Sequence, residues 1–113
     1  MSRIRRIAAG GVIGVAALAS SLGMASAANQ IYIKGGTAWT NSAATVITTK
    51  DTAGDGVRIY SDYYRQGSGK RYQLITTGVG QVVSSPGAKV YRFNVCRDVP
   101  VGLDSCTKWK YPA

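Results

Sequence analysis

From Ile31 to Tyr111 the chain is a succession of short β-branched and aromatic runs cut by turn formers every roughly 8 to 12 residues, and this spacing constrains its fold most. Ile31-Tyr32-Ile33 is ended by Lys34-Gly35-Gly36, and Thr37-Ala38-Trp39-Thr40 follows without helical periodicity. Ala44 to Thr49 leads into Asp51-Thr52-Ala53-Gly54-Asp55-Gly56, a stretch dense in turn residues. Val57 to Tyr64, Lys70 to Thr77, Gln81 to Ser84, Ala88 to Cys96 and Cys106 to Tyr111 complete the set. About seven short strands predict an all-β antiparallel sandwich of immunoglobulin or fibronectin type, not a helical or α/β fold.

The N-terminus reads as an address. Met1-Ser2-Arg3-Ile4-Arg5-Arg6 is basic, Ile7 to Leu22 is apolar, and Ala25-Ser26-Ala27 offers the small residues a signal peptidase requires. Residues 1–27 are therefore expected to be an export signal, 28–42 an N-terminal extended segment, and 43–113 the sandwich domain. The apolar run is near the short limit for crossing about 30 Å of hydrocarbon and is broken by glycines, so no stable membrane insertion is expected. Release from the cell is the expected fate. The formal charge falls from +9 to +6 when Arg3, Arg5 and Arg6 leave with the signal.

Export makes the two cysteines a staple. Cys96 and Cys106 are expected to be bonded in an oxidising compartment, and closing a loop of about eleven residues stabilises a small domain by about 2.5–3 kcal/mol. If they face each other on a hairpin, Phe93 pairs with Trp109 and Tyr91 with Tyr111 on a core-facing side. Arg92 and Asn94 then face water with Lys110 and Lys108.

Asp51-Thr52, Asp55-Gly56-Val57, Tyr60, Tyr63-Tyr64, Gly78-Val79-Gly80, Val90 to Cys96 and Ser105 to Trp109 together resemble small secreted proteins of streptomycetes and related actinobacteria. The resemblance spans about residues 45 to 111 and implies secretion, a disulfide and a sandwich without implying an activity. Such proteins often carry further cysteines, which this chain lacks. A looser analogy, carried by no residue motif, is to the adaptor subunits of streptomycete umbrella toxin particles, and it implies a role in a secreted toxin-like complex.

The chain has no histidine and no glutamate, which removes His-based triads, Glu-dependent glycosidase pairs and most zinc sites. Asp51, Asp55 and Asp62 are too few for a dedicated calcium site and read as turn formers. No cofactor, no metal and no catalysis are expected. Alternation puts Val57, Ile59 and Tyr63 inside and leaves Tyr60 and Tyr64 outside beside Arg58 and Asp62, a recognition surface of tyrosine and arginine. Ile31, Tyr32, Ile33 and Trp39 lie on the extended segment, which reads either as a first strand or as a detachable strand adding to a partner's sheet edge. The expected function is non-catalytic binding to another macromolecule, foremost a protein. An anionic cell-envelope polymer held by the +6 charge is the alternative, as is an enzyme inhibitor using the loop Arg97 to Ser105. No specific nucleic-acid recognition is expected.

Overall fold

The structure is a computed structural model and describes residues 29–113; the expected signal, residues 1–27, and Ala28 lie outside them. Nine strands form two antiparallel sheets, with no helix among the described residues. β1 (Gln30–Ile33), β2 (Gly36–Thr40), β3 (Ile47–Asp51) and β6 (Gly80–Val83) form the first sheet in the order β1-β2-β3-β6. The second sheet holds β4 (Arg58–Arg65), β5 (Arg71–Ile75), β7 (Val90–Phe93), β8 (Cys96–Asp98) and β9 (Ser105–Cys106). Within it β4 pairs with β5 on one side and with both β7 and β8 on the other, and β9 pairs with β8.

The expected continuous strand Ala88 to Cys96 is divided at Asn94 and Val95, yet from Arg92 to Asp98 its pieces keep one register against β4. Tyr63 faces Phe93, Tyr60 faces Cys96 and Arg58 faces Asp98. Between them the Asn94 amide donates to the Asp62 carbonyl at 3.1 Å, and the Asp62 amide donates to the Asn94 side-chain oxygen at 2.9 Å. A side chain thus substitutes for one main-chain acceptor without breaking the alignment.

Alternation then decides what is buried. Ala38 and Ile47 from the first sheet meet Ile59, Tyr63, Phe93 and Val95 from the second, with Val90, and Ile31, Ile33, Tyr72 and Leu74 pack around them. Burying a side chain such as Ile47, Ile59 or Phe93 stabilises by about 1.5–3 kcal/mol each. The layers also touch through polar groups, since the buried Thr49 hydroxyl donates to Ser61 Oγ at 2.7 Å. Gly36 brings β2 so close to β4 that an added Cβ would lie 2.7 to 2.9 Å from Ile59 carbons.

The N-terminal segment belongs to the sandwich. β1 pairs with β2, β2 pairs with β3, and Ile31 and Ile33 turn toward the core opposite Ala38 and Gly36. Gly35, at φ +80°, makes the tight turn between them. The chain returns to this edge at its other end, where the Ala113 amide donates to Asn29 Oδ1 at 3.1 Å.

Candidate binding surface

The disulfide joins Cys96 to Cys106, and the hairpin around it begins in the expected register, with Cys96 facing Cys106 and Arg97 facing Ser105. The register then slips. The Thr107 hydroxyl takes the bond from the Val95 amide at 3.1 Å, and the next backbone bridge is between Phe93 and Lys110 instead of Phe93 and Trp109. A slip of one residue exchanges the faces of a strand. Phe93 stays in the core, while Trp109 turns to the outer face, so the expected core-facing ladder of Phe93 with Trp109 is overturned.

A second irregularity lies on the opposite side of the same strand. Tyr64 faces Arg92 and Arg65 faces Val90, which leaves Tyr91 as an extra residue in β7. Tyr91 is thereby brought beside Tyr64, with ring centroids 5.9 Å apart, and not into the core. Arg92, expected to stand free in water, becomes the centre of an aromatic cluster. Its guanidinium carbon lies 4.5 Å from the Tyr64 ring centroid, 4.3 Å from Trp109 and 5.8 Å from Tyr91. Each such contact contributes about 0.5–1 kcal/mol at a partly exposed site. A hydrogen bond to Tyr111 raises the Arg92 pKa above its ordinary value, and Arg92 Nε is buried without a partner.

At the other end of β4 the hairpin presents a loop. Asp98 accepts from Arg58 Nη2 at 2.7 Å and Nε at 3.1 Å. Asp104 ties the neck, one carboxylate oxygen accepting from the Val99 amide at 3.0 Å and the other from the Tyr60 hydroxyl at 2.7 Å. Burial first, and then Asp104, hold the Tyr60 pKa well above the ordinary tyrosine value. Between these braces Val101 is 87% exposed and Leu103 94% exposed, on either side of Gly102 at φ +100°.

The expected binding residues divide among three places. Tyr32 and Trp39 lie on the outer face of the first sheet, Tyr32 exposed and Trp39 half-buried, while Ile31 and Ile33 point inward. Arg58, Tyr60 and Tyr64 share the outer face of the second sheet, as alternation requires. Tyr60 is nevertheless buried beneath the loop, and Arg58 is a brace, so of these three only Tyr64 joins the Arg92 cluster. Arg97 is a strut too: Nη1 donates to the Lys34 carbonyl at 2.6 Å and Nη2 to Asp55 at 3.4 Å. The sequence reading missed Arg92 and Trp109, because register slips leave no compositional mark. It singled out the loop Arg97 to Ser105 but not Val101 and Leu103 within it, although two large apolar residues between Pro100 and Asp104 were a usable signal.

Side-chain charge is divided unequally along β4. Lys34, Lys50, Arg58 and Arg97 share the half beginning at Arg58 with Asp51, Asp55, Asp98 and Asp104, and cancel. Arg65, Lys70, Arg71, Lys89, Arg92, Lys108 and Lys110 share the half ending at Arg65 with Asp62 alone, so the whole +6 of the described residues lies there. Of these seven cations only Arg71 has a carboxylate partner, Asp62 at 2.8 Å, among the described residues. Arg65 is buried and donates to three carbonyls, those of Thr45, Ser85 and Ala88, at 3.1, 2.8 and 2.6 Å. Beside it opens a cleft of about 450 Å³ lined by Tyr63, Arg65, Ser68, Tyr72 and Ser85.

The carboxylates behave as turn formers and ion-pair members. Asp51 accepts from the Ala53 amide and Asp55 from the Val57 amide, each two residues on, and the Val57 bond foremost lowers the Asp55 pKa. Among the described residues no three metal-ligating side chains of His, Cys, Asp or Glu type gather, and no helix is long and apolar enough to cross a membrane. Comparison with protein-family models, with curated proteins and with solved structures finds no match for this chain.

Proposed function

We propose that the protein is an exported, non-catalytic binding domain that docks a protein partner through the loop Val99 to Asp104. The disulfide between Cys96 and Cys106 is consistent with an extracellular location, which fits the expected export signal. One observation carries the docking: Val101 and Leu103 stand exposed on a loop whose neck is fixed by the disulfide, by Asp98 with Arg58 and by Asp104 with Tyr60. A prearranged apolar pair loses little conformational entropy on binding, which favours affinity. Arg58 and Tyr60 act here as positioning residues, beneath the contact and not in it. Gly102, at φ +100°, turns the chain between Val101 and Leu103, so the two exposed side chains are offered together at the loop's tip.

The test is cross-linking in the fluid into which the producing cell secretes, followed by mass spectrometry. Wild-type protein is expected to give a cross-linked partner through residues 99–104. A V101D/L103D variant with an unchanged urea midpoint should lose it. The same cross-link from both proteins rejects the loop as the docking site.

A further inference from the structure

We propose that the opposite half of the molecule binds a second, chemically different ligand: a phosphodiester-linked polyol chain, held by its repeated charges. The inference is independent of the loop and starts from the charge division. The +6 is confined to the half of the sandwich around Tyr64, and the one aspartate there, Asp62, is occupied by Arg71 at 2.8 Å and Gln73 at 3.2 Å. No free carboxylate among the described side chains competes with an incoming anion. A surface of one sign attracts and concentrates an oppositely charged chain.

The residues also narrow the chemistry. Four of the uncompensated cations are lysines, compact point charges of the kind that binds phosphate without a fixed planar geometry. Arg92 alone offers a fork, and its position is set by the rings of Tyr64 and Trp109. Those rings are committed to Arg92, so they do not supply the open stacking platforms on which single-stranded nucleic acids lay their bases. The exposed Val101 and Leu103 lie at the other end, and the exposed Val83 and Tyr111 of this half stand on different sheets, Val83 in β6 and Tyr111 beside Arg92, so they form no continuous apolar wedge for entering a bilayer. What remains is a soluble polyanion without bases. The cleft beside Arg65, lined by Ser68, Ser85 and the Tyr72 ring over which Lys70 lies at 5.1 Å, gives a polyol unit a place next to one of these lysines.

The probe is fluorescently labelled poly(glycerol phosphate), with binding read by anisotropy at several salt concentrations. Wild-type affinity is expected to fall as salt rises, with a log–log slope of about −0.7 per phosphate contact. Replacing three lysines, K70S/K89S/K108S, should weaken binding by about tenfold at low salt and flatten the slope by about 2. Removing two cations from the balanced half, K34S/K50S, should leave affinity within about twofold, because those charges lie outside the patch. Equal losses in the two variants, or no wild-type binding at low salt, overturn the proposal. Polygalacturonate bound as tightly as the phosphate polymer overturns the phosphate assignment, and poly(dT) bound as tightly transfers the site to nucleic acid and overturns it as well. Val101 and Leu103 take no part in this assay, so its failure leaves the loop proposal standing, and the reverse.

Discussion

The two halves of the sandwich are held by different physics. Around Arg58 positive and negative side chains balance in number, two pairs meet directly, Asp98 with Arg58 and Asp55 with Arg97, and a covalent bond closes the hairpin. Around Tyr64 the cations are answered chiefly by neutral groups, with carbonyls around Arg65 and aromatic faces around Arg92. The first arrangement fixes a loop and leaves no net charge; the second fixes guanidinium groups while leaving their positive charge available. A small domain thereby combines one apolar and one electrostatic surface without either cancelling the other.

The largest expected effect separates covalent from non-covalent fixation. Replacing both cysteines, C96S/C106S, should lower stability by about 2.5–3 kcal/mol in urea unfolding. Hydrogen exchange should quicken first in residues 97–105, ahead of the Arg92 side. Exchange rising first around Tyr64 would show that the division into halves is wrong. Trp109→Ala tests the other half, with an expected loss of about 1–2 kcal/mol and faster exchange at Phe93 and Lys110, while loop cross-linking persists.

Most of the architecture was legible, because turn formers and alternating side chains report it directly. The strand around Tyr63, the inward and outward residues of β4 and the cysteine pair follow from patterning. What escaped was register. Nothing in the residues near Thr107 announces that its hydroxyl will replace a main-chain partner, nor that Tyr91 will be supernumerary. Each slip exchanges faces, so a local error of one residue moved Tyr91, Arg92 and Trp109 from their expected environments. Arg65, one residue past the expected strand Val57 to Tyr64, escaped for a related reason: burial of its charge depends on carbonyls contributed by Thr45, Ser85 and Ala88, distant along the chain.

Smaller effects sharpen the contrast. Asp104→Ala should cost about 1 kcal/mol, since it frees the Tyr60 hydroxyl and the Val99 amide together. Because the folded Tyr60 pKa is raised, its contribution is complete below the unfolded value of about 10 and is lost as pH climbs through it toward the folded value. Urea midpoints measured across that range should therefore fall more steeply for wild type than for Tyr60→Phe; parallel curves would contradict the buried, Asp104-bound hydroxyl. The smallest effect belongs to salt. Screening should stabilise the wild type by less than about 0.5 kcal/mol, and K70S/K89S/K108S should respond still less.

The bond from Ala113 to Asn29 has a practical corollary. Asn29 and Ala113 are neighbours, so a tether attached at either leaves from one shared point along the sandwich's flank. Joining them with a short linker and reopening the circle at Gly67 would give a permuted protein whose backbone course is otherwise unaltered, because Gly67 sits in open space at φ +79°.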